Sequence, residues 1–330
     1  MTTIRILLTG GTGFFGKALL RHWINMAREG QIEAKVTVLS RDPDRFAEQH
    51  PSLVAQRWLR LVKGDICDRD SLPHGQAFTH VLHAATDSTT GPQLTPQQRF
   101  DQIVDGTRNL LDLAVACGAG RFLLTSSGGV YGTQPPDMMR IPEHCHTMPD
   151  PLDPTQAYSV GKRVAEHLCA LYMQAHRLPV VVARCFAFVG PDLPLDVHFA
   201  IGNFIRDALW GNSIQVNGDG SPVRSYLDQS DLAQWLWELL MRATPAQAYN
   251  VGSDQPIAIA DLAYMVRDLV APSKSVHILG NASGDQRRNL YVPDIQKIQS
   301  ELGVQVRIPL SESIIQTAAA ARSRGSQHGV

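Results

Sequence analysis

The chain has 330 residues, with 30 Lys plus Arg against 31 Asp plus Glu. That length supports a substantial core in one large or two modest domains. The near-neutral charge gives no electrostatic reason to expect nucleic acid or an anionic membrane as partner. No apolar run approaches the roughly 18 residues of a membrane span, and MTTIRILL runs straight into a strand pattern, so no signal peptide is expected. Five scattered cysteines (Cys67, Cys117, Cys145, Cys169, Cys185) without C-x-x-C spacing fit the reduced thiols of a cytoplasmic protein. The EHCH stretch at 143–146 lacks metal-ligand spacing, so no metal is expected.

Residues 4–8 are branched and apolar, as in a buried parallel strand. Gly10, Gly13 and Gly16 follow, and residues 17–27 then carry apolar side chains at helical spacing. A strand, a glycine turn and a helix N-terminus form a cradle for a pyrophosphate. Here the cradle takes in Gly10, Gly13, Phe14, Phe15 and Gly16, and dinucleotide binding is expected. The second strand pattern, 35–39, ends in Ser40 and Arg41, where NAD-binding folds place a carboxylate on the adenosine ribose. Serine and arginine suit a 2′-phosphate instead, so NADP(H) is favoured and NAD(H) is the alternative. After the third pattern, 59–62, GDI places Asp65 and Ile66 beside the adenine.

Strand patterns at 80–83, 121–125 and 180–184 follow, with helical stretches at 97–117 and 155–176. The alternation predicts an α/β fold of Rossmann type, a doubly wound parallel sheet with helices on both faces. In YSVGK, Tyr158 and Lys162 are four residues apart and share a helical face. A phenol with an ordinary pKa near 10 needs a nearby positive charge to act as a base at neutral pH. Together with TSSGGVYG after the fifth strand, the pair points to hydride transfer at a carbinol or ketone. After residue 186 the rhythm changes to Pro- and Gly-rich loops between helical stretches at 203–210, 231–240 and 259–270. The expected division is a dinucleotide-binding domain, 1–186, and a smaller lobe, 187–330, over the strand ends. A disordered tail is expected from about residue 320.

In order and spacing these motifs resemble an extended short-chain dehydrogenase/reductase of the NAD-dependent epimerase/dehydratase group, which acts on nucleotide-activated sugars. The resemblance runs from TGGTGFFG to YVPDIQKIQSELG. It implies Ser127, Tyr158 and Lys162 as the catalytic set, with Ser126 as the neighbouring candidate, and Ala84 and Ala85 of HAA beside the cofactor. It also implies Asn203, Arg224 and Arg288 on a sugar-nucleotide diphosphate, and a homodimer through the two long helices. The expected enzyme moves a hydride at a ring carbon, most plainly C4, as epimerase (an isomerase) or ketoreductase. Similar 4,6-dehydratases carry a polar residue and then Glu or Lys where this chain has Gly128 and Gly129. A dehydratase would therefore need a relocated acid and base, Glu143 or Asp87. Ala187 stands where many relatives carry asparagine. A catalytically idle dinucleotide sensor is the alternative from another class.

Overall fold

The computed structural model describes residues 4–86, 94–197, 199–280 and 289–327. The first half builds β1 (Ile4–Thr9), α1 (Phe14–Arg28), β2 (Ala34–Ser40), α2 (Pro43–Gln49), α3 (Pro51–Val54), β3 (Leu59–Lys63) and β4 (His80–His83). It continues with α4 (Pro96–Ala116), β5 (Arg121–Ser127), α5 (Ala157–His176) and β6 (Val180–Cys185). The second half adds β7 (Phe188–Val189), α6 (Ala200–Trp210), β8 (Ile214–Val216), β9 (Val223–Arg224), β10 (Leu227–Asp228), α7 (Gln229–Arg242) and β11 (Gln247–Val251). Then come β12 (Ile257–Ala258), α8 (Ile259–Val270), β13 (Val276–Ile278), β14 (Leu290–Tyr291), α9 (Gln296–Leu302) and α10 (Leu310–Gln327).

Seven strands pair in the order β3-β2-β1-β4-β5-β6-β11, all parallel. Successive side chains of a strand face opposite sides, and β1 shows the result. Ile6 and Leu8 pack with Leu19, Leu20 and Trp23 of α1 and Trp235 and Leu236 of α7. Leu7 packs on the other side with Ile103 and Leu110 of α4 and Leu168 of α5. Both faces are thus covered, as a parallel sheet requires. A Cβ placed on Gly16 would lie 2.2 Å from the Gly11 backbone, so the start of α1 seats directly on the turn after β1. α4 begins with a capping box, Thr95 Oγ1 accepting from the Gln98 N–H and Gln98 Oε1 from the Thr95 N–H.

The strand at 180–184 is not the last of the sheet. β11 pairs with β6, and α7 packs on α1, so the chain returns to the first layer and crosses the division expected at residue 186. Around α6, α8 and α10 a second core gathers Ile205, Phe204, Leu262, Val266 and Ile314. The tail expected to lack structure from about residue 320 instead continues α10 to Gln327, with Ala321 buried against this core.

A polar network pins the layers together. Arg184 of β6 pairs with Glu166 of α5 at 2.8 Å. It also donates to Tyr131 Oη at 2.9 Å and to the Glu143 carbonyl at 3.0 Å. Tyr131 donates in turn to Asn250 Oδ1 of β11, and Glu143 Oε1 accepts the Asn250 N–H.

Candidate active site

A cavity of about 1060 Å³ opens at the carboxyl ends of β1 to β6, the place where ligands bind in open α/β sheets. Its walls carry Lys17, Arg41, Arg45, Arg99, Lys162 and Arg224 against Asp42 and Asp65, a positive cleft in a chain of net charge −1. Such a cleft concentrates anions.

At one end Gly10, Gly13, Phe14 and Phe15 line the cavity. Gly10 has φ +73°, and a Cβ there would lie 2.4 Å from the Ala84 carbonyl oxygen, so only glycine fits between β1 and β4. A Cβ on Gly13 would meet only the Gly10 carbonyl oxygen, at 3.5 Å, so the space above this turn is left to a ligand. Gly16 is not in the lining; it serves the helix-to-turn contact instead. Ser40, Arg41, Asp65, Ile66, Ala84 and Ala85 continue the wall. Asp42, which sequence reasoning passed over, also lines it, but its Oδ1 accepts from the Arg45 N–H and caps α2. These residues fit a dinucleotide: a backbone cradle, an adenine edge and cations at the ribose.

At the other end Ser127, Tyr158 and Lys162 meet. Lys162 is 3% exposed, and its Nζ donates to Thr86 Oγ1 and to the Thr125 carbonyl, both at 2.8 Å. Nζ lies 5.9 Å from the centroid of the Tyr158 ring. Burial pulls Lys162 down from its ordinary 10.5 to about 8. Burial pushes Tyr158 up to about 12, opposed by a hydrogen bond with Ser127. Ser127 Oγ accepts from the Gly129 N–H at 3.1 Å, which fixes the oxygen and leaves its proton to be donated. Ser126 cannot stand in for it, because its hydroxyl donates to Glu166 Oε1 at 2.6 Å. His83, beside the site, joins Thr9 and Thr107, and burial holds it neutral with a pKa of about 3.

The substrate side departs from expectation in part. Arg224 lines the cavity, its Nη1 donating to the Val223 and Asn289 carbonyls. Asn203 is not among the lining residues; its Oδ1 accepts from Arg206 Nη1 at 3.2 Å, while Ala200 and Ile201 face the cavity. Arg288 and Asp87 lie outside the described residues. Glu143 is also absent from the lining, its carboxylate being committed to the Asn250 N–H. A side chain at Gly128 or Gly129 would need its neighbours to move. A Cβ on Gly128 would lie 2.6 Å from Tyr291 Oη, and one on Gly129 2.6 Å from Ser159 Oγ. Sequence reasoning also missed Thr86, Phe186 and Tyr291, all of which line the cavity. Only Tyr291 had a signal, its place at the head of YVPD. Among the described residues there is no group of three or more His, Cys, Asp or Glu able to hold a metal, and no helix long and apolar enough to cross a membrane.

A parallel sheet with a glycine cradle at its first turn, and a serine, tyrosine and lysine at its strand ends, defines an extended short-chain dehydrogenase/reductase. The chain belongs to the NAD dependent epimerase/dehydratase family, whose model matches residues 6–252. It is 30% identical over 315 residues to UDP-glucuronic acid decarboxylase 1 of Xenopus tropicalis, covering 95% of this chain and 71% of that one. The dTDP-glucose 4,6-dehydratase of Streptomyces venezuelae, crystallised with NAD, superposes with a TM-score of 0.83 at 24% identity, over 98% of each chain. UDP-glucuronic acid 4-epimerase from Bacillus cereus, in complex with UDP-glucuronic acid and NAD, gives 0.81 at 22% identity, over 97% of this chain and all of that one.

The buried lysine makes stability depend on pH. Folded, Lys162 ionises near 8; unfolded, near 10.5. Between those values unfolding takes up a proton, so stability rises as pH climbs from 8 toward 10.5 and is lost as pH falls back through 8. The interval is worth about 3 kcal/mol at most. Urea unfolding of the ligand-free protein should show this rise, and Lys162→Met should abolish it; an unchanged rise in the variant would contradict the buried ammonium.

Proposed function

We propose that this protein is an NAD(P)-dependent nucleotide-sugar oxidoreductase that moves a hydride at a ring carbon, C4, as epimerase or 4-ketoreductase. The observation that carries the reading is the meeting of Tyr158, Lys162 and Ser127 inside one cationic cavity with the glycine cradle. When bound, the oxidised nicotinamide supplies a hydride acceptor and a positive charge. Tyr158, as phenolate, takes the proton of the substrate hydroxyl, and Ser127 donates to the same oxygen. Lys162 favours the phenolate through its charge. Arg224, and Arg288 by resemblance, bind the diphosphate; Asn203 would join them only by giving up Arg206.

Gly128 and Gly129 carry no group for eliminating water, and a side chain at either would need Tyr291, Phe186 or Ser159 to move. That disfavours a 4,6-dehydratase. Decarboxylation is a second reading, favoured by the 30% identity to a UDP-glucuronic acid decarboxylase. Oxidation at C4 of a sugar with a C5 carboxylate gives a β-keto acid, which loses carbon dioxide without an acid or base at 128 or 129. A panel of UDP- and dTDP-linked sugars, uronic acids and 4-keto sugars separates these outcomes. Isomerised sugar without net cofactor change means epimerase, stoichiometric loss of reduced cofactor means reductase, and a pentose with carbon dioxide means decarboxylase. A 4-keto-6-deoxy product overturns the reading.

The dehydratase and 4-epimerase neighbours were crystallised with NAD; for this chain NADP(H) is proposed, because β2 ends in Ser40 with Arg41 next, and the nearby Asp42 is held by its helix cap. Arg41→Asp should weaken NADPH binding at least about tenfold, the worth of one charge-assisted hydrogen bond, and NADH little. Equal losses for both cofactors, measured by fluorescence titration, would remove the assignment. A homodimer through α4 and α5 is part of the proposal; these helices pack side by side, and α5 leaves Leu171 45% exposed. Sedimentation should show a dimer at micromolar concentration, and a species near 36 kDa alone would count against it. Tyr158→Phe should lower turnover by about two to four decades, the usual worth of general acid–base catalysis, with cofactor affinity kept within a few-fold. More than a tenth of normal turnover would sink the mechanism.

A further inference from the structure

Lys162 is held by two acceptors, and one of them, Thr86, belongs to none of the motifs. Nζ donates to the Thr125 carbonyl near the end of β5 and to Thr86 Oγ1 just past β4, each at 2.8 Å. Thr86 Oγ1 also lies 2.8 Å from the Ala85 carbonyl oxygen. An ammonium offers three protons and no lone pair. The threonine oxygen can therefore only accept from it, and its own proton goes to Ala85. Two of the three ammonium protons are placed in this way. The third is left for the cavity, where Nζ stands 5.9 Å from the centroid of the Tyr158 ring.

His83 fixes where both acceptors stand. Its carbonyl accepts from Thr125 Oγ1 at 3.0 Å, which ties β4 to β5 at that level. Thr107 Oγ1 donates to the Ile103 carbonyl at 2.6 Å, so its 3.3 Å bond with His83 Nε2 is donated by the ring. The ring is neutral, and Nδ1 then accepts from Thr9 Oγ1 at 2.8 Å. The Thr9 oxygen in turn accepts the Ala85 N–H at 3.3 Å. Each proton along this path has one destination. The Ala85 peptide, which leads into Thr86, is thereby pinned to β1.

Building on the function proposed above, we infer that Thr86 is a positioning residue, whose hydroxyl oxygen holds Lys162 as a charged ammonium beside Tyr158. A charge-assisted hydrogen bond is about twice as strong as a neutral one, so an oxygen confined to accepting from Nζ favours the ammonium over the free amine. Burial acts in the opposite sense. The titratable groups facing Lys162 among the described residues are Tyr158, Glu166 and Cys169 of α5, Cys185 of β6 and His83 of β4. Glu166 is the carboxylate among them, and it is bound to Arg184 and Ser126. None of these groups takes the place of the Thr86 oxygen at Nζ.

Thr86→Val keeps the branched shape and exchanges the hydroxyl for a methyl group. The test is a pH titration of the ligand-free, full-length protein carrying lysine labelled with carbon-13 at Cε, read by NMR; the Lys162 signal is assigned by its loss in Lys162→Met. Thr86→Val should lower the pKa of Lys162 by about half to one unit, the worth of one hydrogen bond. Thr86→Ala should lower it alike, which guards against a valine that packs badly, and Thr86→Ser should restore it. No change, a rise, or a serine variant that falls as far as the valine one would overturn the inference. The titration needs neither substrate nor cofactor, so it stands or fails separately from the reaction proposed. With a substrate in hand, Thr86→Val should move the alkaline limb of the kcat profile down by the same interval, with KM within a few-fold. A limb that stays in place would overturn the part given to Thr86 in turnover.

Discussion

Arg184 is an ionised side chain on β6 that the fold takes largely out of water, and such a charge costs several kcal/mol unless its hydrogen bonds are replaced. Three segments far apart in sequence replace them: Glu166 of α5, Tyr131 after β5 and the carbonyl of Glu143. Burial opposes the charge, but Glu166 and Tyr131 outweigh it and hold the guanidinium firmly protonated. Glu166 stands four residues after Lys162 and eight after Tyr158, on one stripe of α5. Anchoring Glu166 to β6 and to Ser126 therefore sets the roll of the helix and brings Tyr158 and Lys162 to the end of β5. The same network passes through Tyr131 and Asn250 to β11, so the reacting end and the last strand of the sheet are held by one set of hydrogen bonds.

Burial acts on the reacting groups in opposite senses. It pushes the Tyr158 phenol up and the Lys162 ammonium down, and each change favours the neutral form. The thiols of Cys169 and Cys185 are pushed up as well, so they stay protonated and add no negative charge near the lysine. What favours the phenolate must come from oriented donors and positive charge, which is why the arrangement around Ser127 matters more than the presence of a tyrosine.

Much of this was legible in the sequence because it is local. Three glycines after a branched strand, and Tyr158 four residues before Lys162, carry their geometry with them. The first six strands announced themselves by apolar runs. β11 did not: QAYNV is short, and its place beside β6 depends on Asn250 reaching Tyr131 and Glu143. Asn203 illustrates the opposite failure, a residue in the right order whose side chain is claimed by a neighbour one turn away. Tyr291 could not be found by spacing, since nothing local ties residue 291 to residue 128. The helical end of the chain was misread because Ser, Arg and Gly read as solvent-loving, whereas Ile314, Ala318 and Ala321 fall on one buried face.

The late return of β11 also fixes an order of events during synthesis. β6, with Val180, Val181 and Val182 in its first half, is complete while the whole segment from β7 to α7 is still to be made. Until β11 emerges, β6 is an open apolar edge, and unpaired edges of parallel sheets invite pairing with other chains. Arg184 spends the same interval without the bond that Tyr131 makes to Asn250. A nascent chain at that length has the sheet nearly built but its border unguarded, the stage at which a chaperone has most to protect.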